Sequence, residues 1–356
     1  MSRKIQSKSL FTKKKSRERG FKAWILLVAI FISLFYGLIF IVPVVPKPNI
    51  ENSSVFRAKI NPQSSLASIA NQLSDQGLSV NPLVMQIAAR SLFVGSKLKP
   101  GTYLFTSRGS LGQILLQVSR GDRVRESIAI IPGMSIWQLR STIDSHPNLV
   151  HQSKGMSSGE LLRALNLDFA SDEGVFLPDT YIFDPDESDL NILRRAGRAM
   201  QKQIDQVWNQ RDEGLPLKSP YELLTLASII EKETGRSSDR AMVAAVFINR
   251  LKIGMPLQTD PTVIYGIGPK FDGNLRKSDL RRDTPYNTYM HKGLPPTPIA
   301  MPSKESLLAA AHPAKSNALY FVAKGDGSSQ FSQSLKEHEL AVDRYQRKLP
   351  TKNGPN

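Results

Sequence analysis

The 356-residue sequence contains no cysteine. That absence excludes a thiol nucleophile, a thiolate metal site and any disulfide, while fitting either redox compartment. Histidine is scarce: the five are His146, His151, His291, His312 and His338, and none has the His-Glu-x-x-His or other ligand spacing of a metal site. Neither a metal nor a cofactor is expected. No phosphate-cradling glycine loop occurs, because "GIGPK" (Gly266–Lys270) lacks the required spacing. "SKLK" (Ser96–Lys99) has the Ser-x-x-Lys form of a penicillin-binding nucleophile without its companion motifs, a match that chance explains.

The formal net charge is +16, yet half of it lies in residues 1–22, where nine Lys and Arg face Glu18 alone. From Ala23 to Pro46 there is no charge across 24 residues. At about 1.5 Å per residue, that stretch crosses a hydrocarbon core of roughly 30 Å. A cleavable signal would have a shorter apolar region and a small-residue cleavage site. A buried core helix would be unusually long and apolar all round. The basic flank stays in the cytoplasm and leaves residues 47–356 outside. The expected organisation is a cytoplasmic basic tail (1–22), a single transmembrane anchor (23–46) and a linker (47–54), in the inner (cytoplasmic) membrane with a periplasmic body. A basic tail tied to a membrane also speaks against a nucleic-acid partner.

Residues 55–125 alternate strands and helices. "VFRAKI" reads as a strand, "SSLASIANQLSDQG" and "NPLVMQIAARSLF" as helices, "GTYLFT" as a strand, and "SLGQILLQVSRGD" as a helix closed near Gly121. Such strand–helix–helix–strand units recur in small carbohydrate-binding modules, and an ordinary α/β packing domain fits the pattern equally. "ESIAIIPG" is a further strand, entering a helix at Ser135 with Gln138 at capping-box spacing. "EGVFLPDTYIF" (Glu173–Phe183) combines an apolar run, a turn at Pro178–Asp179 and three aromatics, which serve either as core or as a sugar-stacking wall. Leu190–Gln210 reads as an amphipathic helix.

"KSPYELLTLASIIEKETG" carries the strongest local signal. Ser219 can cap a helix, Pro220 suits its first position, and Glu222 stands where a capping box needs it. Gly235 is placed to end the helix in the left-handed conformation, so it runs over about 220–234. Glu231 and Glu233 therefore fall in the last turn, where the helix dipole disfavours a carboxylate by roughly 0.3–1 kcal/mol. Leu223, Leu226, Ile230 and Glu233 step by three, four and three, so Glu233 continues an apolar line. A carboxyl against such a wall should have a raised pKa, as a general acid near neutral pH requires. Glu231 follows Leu224, Ala227 and Ser228, a more mixed face. Surface glutamates compensated by Lys232 and nearby arginines are the alternative.

Downstream, Asn249, Gln258, Thr259, Asp260, Thr262 and Tyr265 cluster around a helix end marked by Gly254. "TPYNTYMHKGLPPTPIAMPS" then adds Tyr286, Asn287 and Tyr289. Amides, hydroxyls and tyrosines in loops suit a polyhydroxylated, N-acetylated ligand.

"LASIIEKET", "FINRLKIGMPLQTDPTVIYG", "TPYNTY", "GLPPTPIA", "AAAHPA" and "LYFVAKGDG" together resemble the endolytic murein transglycosylase family (MltG, or YceG-like), densely over 173–345 and more loosely over 55–170. The resemblance implies an α+β protein: a single N-terminal transmembrane helix, a small LysM-like α/β module (55–125), a mixed α/β catalytic domain (126–348) and a short tail (349–356). It implies an enzyme that cuts peptidoglycan glycan strands internally, leaving 1,6-anhydro-MurNAc ends. Such an enzyme would terminate nascent strands beside penicillin-binding-protein synthases. Glu233 falls on the family's catalytic glutamate and Glu231 is a supporting candidate. Ala300–Ser303 departs from the family's frequent Pro-Gly step. A hydrolase of the same fold and a non-catalytic peptidoglycan-binding scaffold are the alternatives.

Overall fold

The computed structural model describes residues 5–45, 55–106 and 108–347, in two compact units, Met1–Arg125 and Glu126–Asn356. The expected linker at 47–54 and tail at 349–356 lie outside the described residues.

The first unit begins with helix α1 (Ile5–Ile41). Its segment Phe21–Ile41 is long and apolar enough to cross a membrane, with a mean hydropathy of 2.7. The helix stops at Ile41, short of the expected Pro46, because Pro43 has no amide hydrogen to continue the ladder and instead bridges to Ser110. Strand β1 (Val55–Ile60) is followed by α2 (Leu66–Asp75) and α3 (Pro82–Ser91), then β2 (Gly101–Thr106) and α4 (Leu111–Arg120). β1 and β2 are antiparallel, pairing Val55 with Thr106 and Ile60 with Gly101. Sequence rules act locally here: Ser65, Asn81 and Ser110 cap the three helices with their side chains, and Gly121 closes α4 at φ 81°. Ala58, Ile60, Tyr103 and Phe105 turn inward against Leu73, Met85 and Ile114.

The second unit starts with β3 (Glu126–Ile130), α5 (Ile136–Asp144), β4 (Leu149–Val150), α6 (Ser158–Leu165), β5 (Asp179–Phe183) and β6 (Glu187–Ser188). β3 pairs antiparallel with β5, and β4 parallel with β6. The expected capping contact is present, with Gln138 Oε1 accepting from the Ser135 amide at 2.9 Å. The turn expected at Pro178–Asp179 lies elsewhere. Glu173–Gly174 makes it, with Gly174 at φ 79°, and Asp179 already begins β5. Phe176, Tyr181 and Phe183 are all buried, so the core alternative holds for these aromatics.

Helices α7 (Asp189–Asn209), α8 (Pro220–Glu233), α9 (Ser237–Lys252), α10 (Asp260–Ile267) and α11 (Lys304–Ala311) follow, then the hairpin of β7 (Tyr320–Ala323) and β8 (Ser329–Ser332), and α12 (Leu335–Val342). Every residue of α8 from Leu223 to Ile230 is buried. α8 packs against α7, α9 and α11, so it is the central helix of the unit and apolar all round rather than one-sided. Its ends depart from expectation. Ser219 Oγ accepts from the Glu222 amide, but the Glu222 carboxylate takes the Lys218 amide at 2.6 Å, so no capping box closes. Gly235 does not end the helix in the left-handed region. Thr234 breaks it in extended conformation (φ −145°, ψ 127°), and its Oγ1 accepts from Arg236 N at the entry to α9.

Candidate active site

The two glutamates at the end of α8 have different surroundings. The Glu231 side chain is 6% exposed and meets the start of α11. Its Oε2 accepts from Ser303 N at 2.8 Å, Ser306 Oγ at 2.7 Å and Ser303 Oγ, while Oε1 lies 3.5 Å from Arg240 Nη2. Placement at the negative end of α8 is thus offset by the positive N-terminus of α11. Lys232 does not compensate it, because its ammonium turns to Gly133 O at 3.2 Å. Four donors leave Glu231 little capacity for chemistry.

Among the described residues, Glu233 has one hydrogen bond, from Thr259 Oγ1. Burial pushes its carboxyl pKa up and nearby Asp260 adds to this, against the Thr259 hydroxyl and the Arg250 cation. It opens into a cleft of about 370 Å³ that Gln258, Asp260, Tyr289, Arg250, Tyr320 and His338 also line. α8 supplies Glu233, the turn before α10 supplies Gln258, α10 begins with Asp260, and α9 supplies Arg250. The backbone is held hard at this turn: Gln258 sits at φ 49°, with its amide on Thr288 O at 3.1 Å and the Thr259 amide on Thr288 Oγ1 at 3.1 Å. A non-glycine residue in that region costs energy and is retained where surrounding contacts fix it.

The other expected residues divide. Asp260 Oδ1 accepts from Tyr289 Oη at 2.6 Å, on the cleft. Thr262 is fully buried, bonding Thr259 O and Thr288 Oγ1, and supports the turn from beneath. Asn249 donates to Ser316 O and Ala318 O, fastening α9 to the approach to β7. Asn287, fully buried, clips its own loop through Leu280 O and Arg282 O. Against the sequence expectation of ligand contacts, neither asparagine lines the cleft, because loop carbonyls take their amides. Tyr265 and Tyr286 lie 4.8 Å apart in an aromatic cluster that Trp137 joins at 4.7 Å from Tyr265. The Tyr286 hydroxyl is within 2.9 Å of Thr297 Oγ1.

Several residues carry no sequence signal for this place. Arg250, buried to 7% exposure, donates to Leu319 O and Leu257 O, and its guanidinium lies 5.3 Å from the Tyr320 ring. His338 stacks on the same Tyr320 ring at 5.2 Å, and burial holds its imidazole below the usual histidine value. Glu173 is fully buried. Both its oxygens accept from Ile136 N (3.1 and 2.9 Å) and Oε1 accepts from Gly174 N (3.1 Å), and the Tyr265 hydroxyl favours its ionised form. Burial pushes its pKa up to about 8 despite these donors.

A family model described as YceG-like matches residues 58–344. The chain belongs to the YceG-like family. A Bacillus subtilis (strain 168) protein named endolytic murein transglycosylase is 47% identical over 176 residues, which is 49% of this chain and 48% of that protein. A Streptococcus pneumoniae (strain D39) protein of the same name is 32% identical over 177 residues, 48% of this chain and 31% of the relative. The match thus spans about half the length, or less, of these YceG-like relatives. A crystal structure of a yceG-like protein from Listeria monocytogenes superposes with a TM-score of 0.51 at 29% identity, covering 81% of this chain and 98% of that one.

Proposed function

We propose that this protein is a membrane-anchored endolytic lytic transglycosylase that cleaves the MurNAc–GlcNAc bond within peptidoglycan glycan strands, with Glu233 as its acid and base. The observation that carries the reading is the setting of Glu233: a half-buried carboxyl whose pKa desolvation raises, one hydroxyl partner and an open cleft before it. The names of the relatives support the same chemistry.

In this reading protonated Glu233 gives its proton to the glycosidic oxygen as the C–O bond breaks, leaving an oxocarbenium-like centre on the muramyl ring. The ionised Glu233 then takes the proton of the muramyl 6-hydroxyl while that oxygen bonds to the anomeric carbon, closing a 1,6-anhydro ring. Protons and bonds balance without water. An intramolecular attack can supply several kcal/mol through proximity, about 7–11 in well-oriented systems. Thr259 Oγ1 and Arg250 are placed to stabilise the ionised state between the two transfers. Gln258 and Tyr289 are proposed as sugar contacts. Glu231 holds the end of α8 to α11 and positions the acid.

The apolar segment Phe21–Ile41 would anchor the chain once in the cytoplasmic membrane, with its basic N-terminal side inside and both folded units outside. The β1–α2–α3–β2 unit is proposed as a LysM-like module that holds glycan. A penicillin-binding-protein synthase making new strands is the partner such an enzyme would serve.

Asp260 on the same cleft favours a second reading, hydrolysis with Asp260 activating water, since ordinary glycosidases use two carboxylates. Mass spectrometry of products from purified strands separates the two, because anhydro ends are lighter by one water. Glu233→Gln is expected to abolish cleavage in either case, and unchanged cleavage would overturn the assignment.

A further inference from the structure

Trp137 carries no role in the chemistry above, yet it is half-buried at the mouth of a second depression, of about 220 Å³, with Gln138, Lys232, Tyr265, Pro269 and Phe271. An open trough of about 760 Å³ continues from it and shares Trp137, Gln138 and Lys232. Lys232 and Pro261 line this groove, whereas their chain neighbours Glu233 and Asp260 line the cleft. The two depressions therefore lie on either side of the Lys232–Glu233 and Asp260–Pro261 steps, each roughly 3.8 Å along the chain. A strand cut in its interior must lie on both sides of the acid.

We infer that the Trp137–Lys232 groove is a second glycan-binding site, in which Trp137 stacks on a pyranose ring and Lys232 pairs with a muramyl carboxylate. The inference rests on the reading of Glu233 as the acid that cuts such strands. Three features of the groove fit this ligand. The Trp137 ring is backed by Tyr265 at 4.7 Å with 31° between planes, and Tyr265 by Tyr286 at 4.8 Å, so the platform is rigid. Glu173 lies beside it, bonding the first amide of α5 at Ile136, and its ionisation is coupled to the Tyr265 hydroxyl. Lys232 spends one bond on Gly133 O, and an ammonium has three donors, so two remain for a ligand. In glycan strands the anionic groups are the lactyl carboxylate of stripped muramic acid and the carboxylates of stem peptides. Glucosamine residues have none.

The test measures binding by the full-length Glu233→Gln chain in detergent, which holds strands without cutting them. Three ligands of matched length separate the contributions: stripped glycan strands, stem-bearing strands and chito-oligosaccharides, which lack carboxylates. Trp137→Ala is expected to weaken all three by about tenfold, with Trp137→Phe restoring most of the loss. Lys232→Gln is expected to weaken muramyl ligands by about fivefold and leave chito-oligosaccharides unchanged. A loss confined to stripped strands assigns Lys232 to the lactyl group, and one confined to stem-bearing strands assigns it to the peptide. Trp137→Ala binding as tightly as its parent, or Lys232→Gln weakening chito-oligosaccharides equally, overturns the inference. Cleavage by the chain with Glu233 intact is assayed separately. Binding that depends on Trp137 without any cleavage would refute the proposed reaction and leave the groove standing.

Discussion

Glu173→Gln isolates one buried proton. The folded-state pKa of Glu173, about 8, lies above the ordinary glutamate value of 4.5, so the folded protein holds the proton more tightly than the unfolded chain does. Its contribution to stability is then fully present below about pH 4.5 and is lost as pH rises towards 8. One proton of difference corresponds to about 1.4 kcal/mol per pH unit, so this group alone should cost the wild type about 2–3 kcal/mol between about pH 5.5 and 7.5. Glutamine has no proton to lose in that window. It can also keep both backbone donors on one oxygen, since Oε1 already accepts from Ile136 N and Gly174 N at 3.1 Å each. The assay is urea unfolding of the full chain in detergent at several pH values, read by tryptophan fluorescence. Trp137 and Trp208 both report on the second unit, and Trp137 neighbours Ile136, where Glu173 bonds. The gap between variant and wild type should widen in favour of the variant as pH rises. Parallel curves would refute the reasoning, because they would mean that the two amides, Tyr265 and the N-terminus of α5 hold the carboxylate ionised at no net cost.

For Glu233, burial places the alkaline limb of the pH–rate profile above the ordinary glutamate range, and a limb at or below the ordinary value of 4.5 would contradict it. Thr259→Val removes the hydroxyl that lowers the Glu233 pKa, so the same limb should move to still higher pH while the rate at its optimum falls. Glu231→Gln should act on stability rather than chemistry: mismatching the Ser303, Ser306 and Arg240 donors costs about 1–3 kcal/mol in unfolding, with partial cleavage retained per folded molecule. Gly174→Ala should destabilise by more than about 1 kcal/mol in thermal unfolding, because φ is 79° and the new Cβ would stand 2.5 Å from Pro298 Cβ.

How much of this site is legible in the sequence depends on the range of the forces involved. Local rules locate α8 to within a residue, because Ser219, Pro220 and an apolar run act over a few positions. The apolar line ending at Glu233 is equally legible, and the raised pKa of the carboxyl at its end agrees with it. Gly235 misleads about the end of α8, since a new helix begins directly beyond it and needs Thr234 extended. Asn249 and Asn287 cannot be told from ligand contacts by sequence, because an amide that suits a sugar also suits a carbonyl in its own loop. Glu173 is illegible for another reason: its partners Ile136 and Tyr265 are distant in sequence, so nothing near it signals burial. Arg250 and His338 meet only when α9 and α12 pack around Tyr320.

Glu173, fully buried, and Glu231 and Glu233, half-buried, show why burial alone does not define a catalytic acid. Glu173 and Glu231 each receive backbone amides where a helix begins, α5 for the first and α11 for the second. Such donors are fixed and occupy the oxygens, so no substrate can reach them. Glu233 lies beside the start of α10 and yet takes the Thr259 hydroxyl rather than an amide. A hydroxyl can rotate, donating when the carboxyl is ionised and turning away when it is protonated. Burial favours the acid form, while Thr259 and Arg250 favour the base form. A group proposed to give up a proton and then recover one needs such opposing influences together with an open side, and of the three only Glu233 faces a cleft.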